Sequence, residues 1–262
     1  MSFITLTTDL GTKDHYVGSV KATILRQLKD VQIVDISHNI PPFNLRHAAF
    51  VIKNSYKEFP SGTIHIIGIN AESDDKISHI AVFADGHYFI CADNGLLSLV
   101  LDLKPDKIVD LNIMSDSDNK NFPTKDIFVK AACHIARGGT LELIGNTKEK
   151  FDIYNSNFQP LFDKDVIRGS VIHIDNYGNA ITNIKKTLIK DVAKGRSFKI
   201  FVGNKNYYII DKIYNKYNQV PPGEAIAIFI STDLLSISLN QGSAANLMGI
   251  SVNDILRIEF ND

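Results

Sequence analysis

Over its first 110 residues the chain alternates short apolar runs with stretches whose apolar positions recur at helical spacing. Residues 3–8 (FITLTT) are β-branched and apolar and predict a strand that stops at Asp9-Leu10-Gly11, where glycine permits a sharp turn. The amphipathic stretch 14–28 predicts a helix, VQIVDIS at 31–37 a second strand, and 44–56, with apolar residues at 45, 48, 49 and 52, a second helix. A third strand follows at 63–69 (TIHIIGI). Three such alternations imply right-handed crossovers and a largely parallel sheet. The runs 78–85 and 87–93 flank Gly86 and predict a hairpin added to that sheet. Beyond KIVDLN and a polar stretch at 115–121, a helix is predicted over 126–137, ended by Gly138-Gly139.

Near residue 165 the pattern changes. Short runs at 170–175, 198–202, 206–211, 225–230, 234–239 and 255–260 are punctuated by Gly, Asn and Pro-Pro, with little helical periodicity. The expected organisation is an α/β N-terminal domain with a largely parallel sheet over 1–152, a linker over 153–168, and a smaller C-terminal all-β barrel over 169–262.

Composition narrows the function class. With 262 residues and 44% hydrophobic content there is enough chain for packed cores. The 28 basic residues balance 29 acidic ones, so no net positive field gathers nucleic acid or anionic membrane. No basic leader and no apolar run near the ~20 residues of a membrane span occur, so a cytoplasmic protein is expected. Cys91 and Cys133 sit in apolar runs and read as buried hydrophobes in a reducing compartment. The eight histidines show no zinc-type spacing, so no metal is expected.

No G-x-G-x-x-G and no G-x-x-x-x-G-K-[ST] occurs, which weighs against a dinucleotide or nucleoside-triphosphate site. Ligands of parallel α/β sheets lie beyond the carboxyl ends of the strands, where Asp9 falls. Its carboxylate can accept two hydrogen bonds from a vicinal diol such as a ribose; it can equally be a turn former, with Asp14 a helix cap. Asp93-Asn94-Gly95 is either a plain turn or backbone geometry beside a ligand. HIDNYGNAITNI at 173–184 places Asp175, Tyr177, Gly178, Asn179 and Asn183 between apolar strands. An aromatic ring and a bidentate amide suit an adenine, and a polar hairpin with a core tyrosine fits the same residues. His38, before Pro41-Pro42, is expected to be structural.

These segments together resemble the S-adenosyl-L-methionine hydroxide adenosyltransferases, which form adenosine, and their halogenating relatives fluorinase and chlorinase. The likeness is carried by TDLGTKDHYVGSVKATI, VDISHNIPPFNLRHAAF, FPSGTIHI, ADNGLL, GSVIHIDNYGNAITNI and PPGEAIAIFISTDLLSISLNQGSAANLM, in that order along the chain. The resemblance implies S-adenosyl-L-methionine as substrate, no further cofactor, and a homotrimer with active sites between one subunit's N-terminal domain and its neighbour's C-terminal domain. It implies that Asp9 holds the ribose hydroxyls, with Asp93 and Asn94 in the substrate-binding set. Asp175 would take the methionine amino group, Tyr177 would stack near the purine, and Asn179 would read the adenine edge. Ser231 falls where the family contacts the methionine carboxylate, though the arginine often next to it is Thr232 here.

The water-activating residues depart from the family pattern. Family hydrolases carry an Asp-Pro-Gly-Val-Gly loop after the third strand, an Arg shortly beyond, and a His in a Phe-His-Gly-Arg-Asp segment. Here those three positions hold Asn70, Ile77 (beside Lys76) and Pro123. Displacement at C5′ expels a neutral thioether from a sulfonium, so rate comes from desolvating and aiming the nucleophile, without acid assistance to the leaving group. Losing a positioned base removes ~10²–10⁴-fold. Asn70, the Thr124 hydroxyl and Lys76 are the candidate substitutes. Three functions follow: hydrolysis of S-adenosyl-L-methionine, non-catalytic binding of it or of adenosine, and transfer of the adenosyl group to a halide.

Overall fold

The computed structural model describes residues 2–72, 74, 76–114, 121–154, 159–202 and 208–261. Of the stretches singled out above, residues 115–120, Ser73 and Asp75 of the loop after the third strand, 155–158 of the expected linker, and 206–207 lie outside the described residues. The chain divides into two compact units, Met1–Asn155 and Ser156–Asp262.

The first unit is a seven-stranded sheet built from β1 (Ser2–Thr8), β2 (Val31–Ser37), β3 (Ile64–Gly68), β4 (His79–Ala84), β5 (His87–Ala92), β6 (Lys107–Leu111) and β7 (Gly145–Thr147), in the order β2-β1-β3-β5-β4-β6-β7. β2, β1, β3 and β5 pair in parallel, and β4, β6 and β7 add antiparallel pairs, so five of the seven strands run the same way. The β4–β5 turn is Asp85-Gly86 with φ of 51° and 77°. Two successive positive φ values give the turn whose twist matches a hairpin, which is why an Asp-Gly pair sits there.

Four helices cover the sheet: α1 (Tyr16–Gln27), α2 (Leu45–Lys53), α3 (Leu96–Val100) and α4 (Val129–Ala136), the last entered through a π-helical turn over Thr124–Phe128. The alternation of strand side chains separates two cores. Ile4, Leu6, Ile64, Ile66 and Ile90 pack with Val20 and Ile24 of α1 and with α4. Ile67, Ile80, Val82 and Phe89 pack on the other face with Ala48 and Ile52 of α2 and with Leu96 and Leu97 of α3. β3 is buried on both faces, as a central parallel strand must be.

The second unit contains β8 (Leu161–Phe162), β9 (Val166–Ile174), β10 (Ala180–Lys185), α5 (Lys186–Ala193), β11 (Phe198–Val202), β12 (Tyr208–Ile210), β13 (Ile213–Tyr214), β14 (Ala225–Phe229), β15 (Leu234–Leu239), α6 (Ala244–Met248) and β16 (Ile255–Phe260). Its strands run in the order β12-β11-β16-β9-β10-β15-β14-β13, with β8 on β9. Contact between β12 and β14 curls the sheet into a nearly closed barrel around Ile167, Val171, Ile200, Ile237 and Ile258. β8 and the start of β9 occupy part of the stretch expected to be linker.

Two helices interrupt the β pattern and correct the expectation of little helical periodicity here. α5 buries Ile189 and Val192 at i, i+3 spacing and ends at Lys194 and Gly195, both with positive φ. α6 is capped by Ser243, whose hydroxyl accepts the Asn246 N–H at 3.2 Å, and ends at Gly249. At five to eight residues, each buries too few positions to outweigh the surrounding alternation in a sequence pattern.

Candidate functional site

The carboxyl ends of β1, β3 and β5 meet at one edge of the first sheet. Thr8 pairs in register with Gly68, and the Asp9 N–H donates to the Gly68 carbonyl at 3.4 Å, so the chain leaves β1 directly beside the end of β3. Asp9 Oδ2 accepts the Phe43 N–H at 2.9 Å, while Oδ1 has no partner among the described residues. Phe43 holds a φ of 64°, rare for an aromatic residue, and its ring is exposed.

His38 stiffens this edge and is structural, as its place before the proline pair predicts. It is buried, with Nδ1 2.8 Å from Thr8 Oγ1 and Nε2 3.0 Å from Asp35 Oδ1, and its carbonyl accepts the Gly11 N–H at 2.8 Å. Burial alone would raise the Asp35 carboxyl. The hydrogen bond from Lys21, at 2.5 Å, and the adjacent His38 ring outweigh it and hold Asp35 below the ordinary carboxylate value.

Asn70 and Thr124 also come to this edge. Thr124 is buried at the start of the π-helical turn, and its side chain lies so close to Gly68 that a Cβ there would be 2.6 Å from Oγ1 and 2.8 Å from Cγ2. Asn70, two residues beyond Gly68, has a φ of 44°. The Asn94 side-chain amide donates to the Ile69 and Asn70 carbonyls, both at 3.2 Å. His79 Nε2 lies 2.8 Å from the Ala71 carbonyl; because a carbonyl only accepts, that nitrogen carries the proton. Burial lowers the His79 pKa, against opposing contributions from the Ala71 carbonyl and Asp110. Lys76 is exposed on the same loop, in a turn where Asp74 Oδ1 accepts the Lys76 and Ile77 N–H groups at 2.7 Å.

Asp93 is held by partners within its own unit. It is 3% exposed, Oδ2 pairs with Lys148 Nζ at 2.7 Å, and Oδ1 accepts the Asp152 N–H at 2.8 Å. Burial works against the Lys148 charge, but the hydrogen bond and charge of Asp93, with Asp110 and Asp152, raise its pKa overall. Asp93 therefore anchors the 148–152 segment beneath the β5–α3 turn. No sequence signal links Asp93 to a lysine 55 residues away, or His79 to the loop after β3.

In the second unit, Asp175, Tyr177 and Asn179 share the β9–β10 loop. Asp175 Oδ1 accepts the Tyr177 and Asn179 N–H groups at 2.9 Å each, and Oδ2 accepts the Asn179 side-chain amide at 2.8 Å. Three of about four acceptor sites on the carboxylate are thus used, and one remains. Asn179 is buried, and among the described residues its amide oxygen and second N–H make no hydrogen bond, while Tyr177 is 78% exposed. Gly178, at φ 80°, lies against Ser243; a Cβ there would collide with the Ser243 side chain.

Ser231 is exposed in the β14–β15 turn, where Lys186 donates its N–H to the Asp233 carbonyl. Ala180 pairs with Ile237 and Lys185 with Leu234, so Ser231 and Asn179 lie toward opposite ends of the β10–β15 pair. Among the described residues no group of three or more His, Cys, Asp or Glu is placed to hold a metal, and no helix is long and apolar enough to cross a membrane.

Two family models match the chain. The model described as SAM hydroxide adenosyltransferase N-terminal domain covers residues 4–145, and that of the C-terminal domain covers 169–257. A protein of Methanocaldococcus jannaschii named (R)-S-adenosyl-L-methionine hydrolase is 33% identical over 71% of this chain and 68% of its own length. A protein of the same name from Thermus thermophilus is 26% identical over 92% of this chain and 93% of its own. A fluorinase of Nocardia brasiliensis is 26% identical over 75% of this chain and 76% of its own. The crystal structure of a conserved protein from Thermotoga maritima superposes with a TM-score of 0.88 at 26% identity, covering 98% of this chain and 99% of that one.

Proposed function

The chain belongs to the SAM hydroxide adenosyltransferase family, and we propose on that premise that it hydrolyses S-adenosyl-L-methionine to adenosine and L-methionine. Water attacks C5′ of the ribose, the C5′–S bond breaks with its electron pair going to sulfur, and the water's proton is released. The leaving group is a neutral thioether, so the reaction asks for no cofactor beyond its substrate. The observation that supports this reading most is the shared position of three residues at the end of β3. Asp9 is hydrogen-bonded to the Gly68 carbonyl, Thr124 packs against Gly68, and Asn70 follows two residues on, so a carboxylate able to bind a diol and two uncharged polar residues occupy one edge.

In this reading the free Oδ1 of Asp9 and the remaining capacity of Oδ2 grip the ribose hydroxyls. Asp175 spends its fourth acceptor site on the methionine ammonium. Asn179 offers one acceptor and one donor to the adenine edge, Tyr177 lies over the purine, and Ser231 meets the far carboxylate. Lys76 lowers the cost of developing hydroxide on the loop. Asp93 supports the pocket through Lys148 instead of touching the substrate. We extend the proposal to a cytoplasmic homotrimer with sites shared between subunits, for which light scattering should return three times the chain mass.

The names of the relatives specify the (R) sulfonium, so the decisive assay incubates purified protein with each sulfonium epimer, with and without chloride, and separates the products by chromatography. Adenosine above the enzyme-free control supports hydrolysis. A 5′-chlorinated nucleoside would transfer the proposal to halide chemistry. A second reading, binding without turnover, draws on Asn70, Ile77 and Pro123 standing where family hydrolases carry Asp, Arg and His; unchanged substrate with a ligand-induced thermal shift would establish it in place of the first.

A further inference from the structure

Three consecutive carbonyls of the loop after β3 are held by side chains from elsewhere in the fold. Asn94, between β5 and α3, donates to Ile69 and Asn70. His79, the first residue of β4, donates to Ala71. β4 runs antiparallel to β5 and pairs His79 with Ala92, which brings a residue at the start of a strand to the carboxyl edge of the parallel strands. Between these holds sits Asn70 with its positive φ, a conformation asparagine tolerates better than most residues and that the neighbouring bonds hold in place.

Each member of this clamp is itself fixed. Asn94 Oδ1 accepts the Leu96 N–H, and its neighbour Asp93 is tied to Lys148. The His79 ring stands edge-on to Phe128 at 5.0 Å, and Phe128 closes the π-helical turn that begins with Thr124. His79 therefore touches both the loop carrying Asn70 and the turn carrying Thr124.

We infer that Asn94 and His79 are positioning residues: they set the Asn70 backbone, and His79 keeps it in fixed relation to Thr124, so that both polar groups aim at one water. The inference rests on the hydrolase reading for its catalytic consequence, but the clamp has a consequence of its own in the loop backbone. In this role Asn94, also expected in the substrate-binding set, and His79 act through the loop backbone. Their effect passes through Asn70 and Thr124, and it belongs to kcat, because a nucleophile misplaced by about 1 Å forfeits on the order of 10²-fold.

The test compares Asn94→Ala, His79→Phe and His79→Gln with wild type in steady-state kinetics and in amide hydrogen exchange of peptides covering residues 67–72. Asn94→Ala and His79→Phe should lower kcat ~10–100-fold with KM little changed, while His79→Gln, which restores an N–H donor, should recover most of the loss. Exchange in the loop should rise in the first two variants and return toward wild type in the third. Unchanged kcat per folded molecule in both donor-less variants would overturn the inference. So would unchanged loop exchange, whatever the activity. If wild-type protein forms no adenosine, the hydrolase reading fails and the exchange data alone decide the clamp.

Discussion

Placing a methyl group on Gly68 tests the packing that brings Thr124 to the end of β3. The new Cβ would lie 2.6 Å from Thr124 Oγ1, 2.8 Å from Cγ2 and 3.3 Å from Cβ. Carbon atoms sit comfortably at about 3.5–4.0 Å, so Thr124 must retreat by roughly 1 Å inside a buried, inflexible turn. Overpacking of this kind costs ~1–3 kcal/mol. Gly68 lies in a strand without a positive φ, so alanine regains ~0.4–1 kcal/mol by restricting the unfolded chain. The net expectation for Gly68→Ala is a loss of about 1–2 kcal/mol. Thr124→Ala alone removes both crowding atoms and one buried methyl, for a loss of about 1 kcal/mol. In the double variant the new methyl fills the space the threonine vacated, leaving only the 3.3 Å contact to Cβ. The double variant should then be no less stable than Gly68→Ala alone, a coupling of about 1–2 kcal/mol in a cycle of urea-unfolding measurements. Losses that add within about 0.5 kcal/mol, or a Gly68→Ala variant as stable as wild type, would refute the placement of Thr124.

Two further outcomes follow from the same geometry. Removing the carboxylate in Asp9→Ala should weaken adenosine binding ~10–100-fold in titration calorimetry, the worth of a charge-assisted pair of hydrogen bonds; affinity equal to wild type would remove Asp9 from the site. Burial, then the charge of His87, lowers His65 from 6.5 to about 3, with Thr5 Oγ1 2.7 Å from one ring nitrogen and His87 3.2 Å from the other. A base whose folded pKa is depressed binds its proton more readily when unfolded. Its contribution to stability is therefore intact above pH 6.5 and lost progressively as pH falls toward 3. Between pH 7 and 4.5 the loss should be roughly 2–3 kcal/mol by urea unfolding and should shrink in His65→Phe; an equal acid loss in that variant would exclude His65 as its source.

The sheet of the first unit was legible because its signals are local. FITLTT stops at Asp9, TIHIIGI is mostly apolar as a central parallel strand requires, and Asp85-Gly86 carries its hairpin turn in two adjacent residues. Placing Asp9 at a carboxyl edge needed only strand direction. What escaped was either too short to show a period or assembled across the fold. α5 offers barely two turns of apolar spacing inside a β-rich stretch. The partners of Asp93-Asn94-Gly95, Lys148 and the Ile69 and Asn70 carbonyls, are none of them near in sequence.

His79 shows most plainly how the contacts at this edge are distributed. In the chain it is one polar residue opening an apolar strand, and nothing in its neighbours marks it. It reaches the Asn70 loop only because β4 runs against β5, and it reaches the Thr124 turn only because Phe128 packs beneath it. Asn70 and Thr124 are uncharged, so in the hydrolase proposal neither would draw in a water by charge, and what they contribute would depend on direction. Under that proposal, a site without a positioned base would rely more heavily on whatever holds its polar groups in place. The residues carrying that burden are then found by following hydrogen bonds and ring contacts outward from Asn70 and Thr124, into strands whose own sequence reads as ordinary core.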